Sequence, residues 1–85
     1  MGPMAEAAGA RRVVGTKQTL KAVQRGQARL VCVARDAERR VIEPLLKLCE
    51  ENHVAVSWYE SMMELGRECG VDVGTAAAAI LRETG

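Results

Sequence analysis

The chain has 85 residues, 48% hydrophobic and 27% charged, with one Trp, one Tyr and no Phe. Such a length holds one small aliphatic core and excludes a multidomain or disordered protein. The formal net charge is only +1, but residues 1–40 carry nine Lys and Arg against three acids, a local +6, and residues 41–85 carry three against eight, a local −5. This bipolar layout can steer a polyanion to one end while keeping the molecule soluble.

Residues 1–11 are rich in Ala and Gly and follow no strong period, so they read as a flexible tail or a short helix ahead of a single domain over 12–85. No run of about 18 apolar residues is available to span a membrane. "MGPMAEAAGARR" also lacks the apolar stretch and cleavage signal of a secretory leader, and the protein is read as cytoplasmic. Arg12 to Gly15 offers a brief strand through Val13 and Val14. A helix opens at Thr16, with Leu20 and Val23 three apart, and Gly26 supplies a left-handed stop.

"LVCVA", residues 30–34, is a β-branched apolar run, the pattern of a central strand buried on both faces. Beyond Glu38, Val41, Leu45, Leu48 and Cys49 keep helical spacing. Pro44 predicts a short turn and then a helix from 44 to Asn52. Val54, Val56 and Trp58 alternate with Ala55, Ser57 and Tyr59 as a strand, whose two aromatic residues are expected to be largely covered. "SMME", residues 61–64, is a capping box that opens a helix closed by Gly70. "TAAAAIL", residues 75–81, has the Ala content of a helix, but an alternating chain that lacks its last strand makes it a strand. The result is an α/β fold, a three-layer α/β/α sandwich around a mixed sheet of about four strands.

Cys32, Cys49 and Cys69 are 17 and 20 residues apart, with no close pair for a metal or a disulfide framework. His53 follows Cys49 by four residues, and two ligands do not make a structural zinc site. No nucleophile, base and orienting group come together in the sequence. No enzyme, cofactor or metal is therefore expected.

Three segments, "GTKQTLKAVQRGQARLVCVARDA", "LLKLCEENHVAV" and "SMMELGRECGVDVGTAAAAI", resemble in order and spacing the ribosomal proteins named L-seven-Ae and L-thirty-e, and in particular their short bacterial members. The resemblance spans about residues 13–81. It implies the α/β/α sandwich and non-enzymatic binding of kink-turns, RNA elements in which a bulge beside tandem sheared G·A pairs bends two helices. The family's first binding motif falls on Gly15, Thr16, Lys17, Gln18 and Lys21. Archaeal members usually carry Asn and Glu where this chain has Lys17 and Gln18, and the Lys-Gln pair follows the other branch. The apolar loop that supports bulged nucleotides falls on Val71, Val73, Gly74, Thr75 and Ala76. The family's Ala-Glu-Asp segment reads Ala34, Arg35, Asp36 here, with arginine replacing an acid and no proline following. The implied partner is a structured RNA with a kink-turn, with the ribosome as a setting, no membrane and a monomeric protein.

The chemistry of these residues suits that task. Ordinary A-form RNA hides its major groove, and a sheared G·A step exposes a guanine edge whose O6 and N7 accept hydrogen bonds. Lys17 is a donor for that edge, and Gln18 both donates and accepts. Gly15 permits close backbone approach, and the free amides of a helix start add positive potential. Lys21, one turn on, is placed for a phosphate. The competing reading is a ribosome- or assembly-associated adaptor whose acidic half docks a protein, with RNA binding weak or lost.

Overall fold

A computed structural model describes residues 2–7 and 9–83; Met1 and Ala8 of the expected tail, and Thr84 and Gly85 of the expected domain, lie outside the described residues. Within these, the order is α1 (Pro3–Glu6), β1 (Arg12–Val14), α2 (Thr16–Gln24), β2 (Ala28–Ala34), α3 (Arg39–Glu51), β3 (Ala55–Tyr59), α4 (Met62–Cys69) and β4 (Ala77–Leu81). The strands form one sheet in the order β1-β4-β2-β3. β2 runs parallel to β3, with Leu30 opposite Ala55 and Ala34 opposite Tyr59. β4 is antiparallel to β2 and to β1, with Ala78 opposite both Cys32 and Val14.

The period of two along the strands builds the two sides of the core. Val31, Val33, Ala77 and Ala79 face α2 and α3, meeting Ala22, Val23, Ile42, Leu45 and Cys49. Cys32, Ala34, Ala78 and Ile80 face the other way, meeting Met4 of α1 and Leu65 of α4 together with Tyr59. The three consecutive alanines of β4, Ala77, Ala78 and Ala79, are buried. Their helix propensity is overridden because small side chains on both faces let both helix layers approach the strand.

α3 departs from expectation. It begins at Arg39, with Glu38 at its N-cap, and runs through Pro44. The buried residues Ile42, Leu45 and Cys49 form one stripe across the proline, so burial of that stripe outweighs the one backbone hydrogen bond that Pro44 cannot make. Pro44 is exposed, and so is Arg40, the residue whose carbonyl goes without that bond. Val41, expected on the apolar face, is 41% exposed, and Leu48 is half-buried. His53 adopts a positive φ of 57° and ends the helix as an exposed residue.

α4 is fixed at both ends. Ser61 accepts the amide of Glu64 at 3.0 Å, and Gly70 takes the left-handed conformation with φ 80°. α1 is held onto the same layer, with Met4 fully buried. The Tyr59 phenol accepts the Met4 amide at 3.0 Å and donates to Glu68 at 2.5 Å.

Candidate nucleic-acid interface

The parallel run of β2 and β3 and the reversal of β4 put three helix starts at one end of the sheet. β2 and β3 finish there, β4 begins there, and α2, α3 and α4 all start from that end. Three positive helix ends therefore share one surface. In open α/β sheets, the carboxyl ends of strands are where ligands are received.

Backbone hydrogen bonds tie the predicted residues to that end. The Gly15 amide donates to the Ala77 carbonyl at 2.9 Å, joining the α2 start to the β4 start. The Ala34 amide donates to the Ala76 carbonyl at 2.9 Å, and the Arg35 amide to the Tyr59 carbonyl at 2.8 Å. Gly15–Lys17, Arg35, Asp36 and the loop over residues 71–76 thus meet at one rim, although up to 61 positions separate them in sequence.

Gly15 has φ 104°, a backbone that side-chain-bearing residues rarely adopt, and nothing of the protein lies within 4 Å of where a Cβ would stand. It makes the turn and leaves its surroundings open. α2 has no side-chain cap, whereas α4 has its first amides taken by Asp36 and Ser61. Lys17, Gln18 and Lys21 are exposed. Among the described residues, neither lysine has an acidic partner within 4.0 Å, whereas Arg35, Arg39 and Arg40 are paired with Glu60, Glu43 and Glu38.

The loop residues divide by direction. Val73 is 69% exposed, the most exposed large apolar side chain among the described residues, and Val71 is half-buried. Thr75 is buried and donates its hydroxyl to the Ala77 carbonyl at 2.9 Å, so it holds the loop rather than projecting from it. Ala76 is half-buried. Asp36 accepts the Met62 amide at 2.8 Å, which makes its carboxylate a brace for α4.

Two features were not read from the sequence. Gly66 lies inside α4, and a Cβ there would meet the Val73 carbonyl oxygen at 2.1 Å; one on Gly74 would meet the Met62 Cβ at 3.1 Å. The loop is therefore laid directly on the helix. The available signal was the mid-helix glycine itself, which costs about 1 kcal/mol relative to Ala and is kept where close packing requires it. Trp58, expected to be covered, is 38% exposed. It stands near the end of β3, an outer strand of the sheet.

The cysteines stand apart from this rim in chemistry. Burial pushes the Cys32 thiol up to about 12, and it raises those of Cys49 and Cys69 as well. Thiols so shifted are poor nucleophiles at neutral pH. Among the described residues, no group of three or more His, Cys, Asp or Glu side chains is arranged to hold a metal ion. No described helix is long and apolar enough to cross a membrane.

The molecule is thus an α/β sandwich whose strand-end rim sets an uncapped, lysine-bearing helix start beside an exposed apolar loop. The chain belongs to the Ribosomal protein L7Ae/L30e/S12e/Gadd45 family, whose model matches residues 4–85 and so takes in nearly all of α1. A relative named RNA-binding protein in Caldanaerobacter subterraneus subsp. tengcongensis is 47% identical over 76 residues, covering 89% of this chain and 93% of that one. RNA-binding protein YbxF of Geobacillus stearothermophilus is 46% identical over 70 residues, covering 82% and 85%. Among solved structures, a Giardia lamblia 15.5kD RNA binding protein superposes with a TM-score of 0.81 at 34% identity, covering 93% of this chain and 66% of that one. A Bacillus halodurans protein of unknown function gives 0.79 at 28% identity, covering 95% and 79%.

Proposed function

We propose that this chain is a non-enzymatic RNA-binding protein that recognises and stabilises a kink-turn, using the α2 start and the apolar loop as two jaws. The observation that carries this reading is the Gly15 to Ala77 hydrogen bond. It joins the uncapped helix start that carries Lys17 and Lys21 to the start of β4, directly after the loop that exposes Val73. Lys17 and Gln18 take the exposed edges of the sheared G·A pairs, and the free amides of the first turn add positive potential. Lys21 takes a backbone phosphate. Val73 covers the face of a bulged base, which has no stacked neighbour of its own. The names of the relatives support RNA as the ligand class, and the residues at the rim support the kink.

The test is a gel shift at matched salt with a kink-turn RNA and a plain duplex of equal length. Selective retention of the kink-turn is expected. Equal affinity would reduce the protein to a generic basic binder, and no affinity for either RNA would favour a protein-docking adaptor.

A further inference from the structure

Trp58 is exposed at the end of an outer strand, and it is not alone there. The central carbon of the Arg35 guanidinium lies 5.5 Å from the Trp58 ring centroid, a cation–π distance. The Arg35 Nε also lies 3.4 Å from Glu60 Oε1. Ring and carboxylate thus hold a side chain that remains 57% exposed. An ion pair this open contributes little to stability. The arrangement nonetheless places a planar cation over an indole, with more than half of its side chain open to solvent.

The position matters as much as the geometry. Trp58 is the in-register neighbour of Val33, whose side chain faces the α2 and α3 layer. In-register residues of adjacent strands share a face, so the indole lies on the same side of the sheet as the α2 start that carries Lys17. The pair stands at the same strand-end rim, because Arg35 directly follows β2. β3 is two strand spacings, roughly 10 Å, from β4. The α3 start also brings Arg39 and Arg40 to this end of the sheet. A polyanion leaving the α2 jaw along this end meets a prearranged guanidinium.

We propose that Arg35 and Trp58 form a seat for one unpaired nucleobase of the bound RNA, outside the helix start and the apolar loop. The base stacks on the open face of the Arg35 guanidinium, with the indole behind it and Glu60 fixing the edge. Unpaired bases are recognised in this way on arginine planes and aromatic rings, without a requirement for sequence. This inference rests on the RNA-binding reading above and adds single-stranded nucleotides beside the kink to its footprint.

Trp58 is the chain's single tryptophan, so intrinsic emission reports on the seat directly. The experiment titrates the full chain with a kink-turn RNA bearing a single-stranded extension, and with versions in which each unpaired nucleotide is made abasic in turn. Each sample is also run as a gel shift. Emission should be quenched at saturation. One abasic position should weaken wild-type binding about ten-fold, within the range of a single base stack, and should have no effect on Trp58→Ala or Arg35→Lys, which lack the ring or the plane. If Trp58→Ala does not fold by circular dichroism, Arg35→Lys, exposed and still cationic, carries the comparison. A complex that forms with unchanged emission, or abasic losses equal in wild type and variants, overturns the seat and leaves the kink-turn reading standing. Absence of any complex overturns that reading and the seat with it.

Discussion

Gly66→Ala is the sharpest perturbation of how the fold presents its loop. On helix propensity alone the change should stabilise α4 by up to about 1 kcal/mol. The new Cβ, however, would lie 2.1 Å from the Val73 carbonyl oxygen, 3.2 Å from its carbon and 3.3 Å from the Gly74 Cα. Real Cβ contacts do not fall below 3.0 Å, and the opposing atoms are backbone rather than the end of a flexible side chain. The loop must move by roughly 1 Å, and overpacking of this kind costs about 1–3 kcal/mol. Displacement then costs the Thr75 amide its bond to the Met62 carbonyl, now 3.1 Å, and takes Val73 away from the α2 start. The expected outcome is a net loss of roughly 1–2 kcal/mol in urea unfolding, with weaker kink-turn binding in the fraction that remains folded. Gly70→Ala is the control, because Gly70 has a positive φ but open space around it. Strain there should lower stability by about 1–2 kcal/mol without moving the loop. A Gly66→Ala protein as stable as wild type and equal to it in RNA affinity would refute the argument that the loop is seated on α4.

Most of the fold was legible because local chemistry and tertiary packing agree along this chain. The stop at Gly26 falls at φ 69°, the Ser61 cap forms, and the period-two run of β2 becomes a central strand. What escaped were decisions made by distant partners. Pro44 argued locally for a later helix start, and only the buried stripe of Ile42, Leu45 and Cys49 shows why α3 runs through it. Trp58 shares the alternation of Val54 and Val56, which pack at the margin of the core, but alternation assigns a face and does not reveal where the covering helix ends. The N-terminal residues showed no strong period because their order comes from contacts more than 50 positions away, Met4 with Tyr59 and Ala5 with Glu68. For the candidate site, residue types were readable and directions were not. Thr75 and Asp36 turn their polar groups into the fold, while Val73 points out.

Lys17→Ala should lower kink-turn affinity by about 1–3 kcal/mol and narrow the gap between native G·A pairs and Watson–Crick replacements in a paired gel shift. Lys21→Ala should weaken both RNAs alike and flatten the salt dependence by roughly one ion; equal losses on both RNAs for Lys17→Ala would reduce that residue to a charge. The hold on α1 gives a prediction of another kind. The Glu68 carboxylate accepts the Tyr59 hydroxyl at 2.5 Å and the Gly2 and Ala5 amides at 3.2 and 3.3 Å. Burial pushes its pKa up, but those hydrogen bonds outweigh burial and hold it below the ordinary carboxylate value. A carboxyl depressed in the folded state contributes stability that is present above its unfolded pKa, about 4.3, and is lost as pH falls through the folded value. Urea midpoints should therefore decline on acidification below about pH 5. Glu68→Gln, which keeps an acceptor but has no proton to gain, should be less stable at pH 7 and show a flatter acid limb. Tyr59→Phe removes the donor to Glu68 and leaves the buried Met4 amide without its acceptor, for a cost of about 1–3 kcal/mol. It should also shrink the acid decline and end it at a higher pH, because losing one of the bonds that depress Glu68 brings its folded pKa closer to the unfolded value. An acid limb identical in wild type and Glu68→Gln would place the pH dependence on other carboxylates and remove Glu68 as the group that fastens α1 to α4.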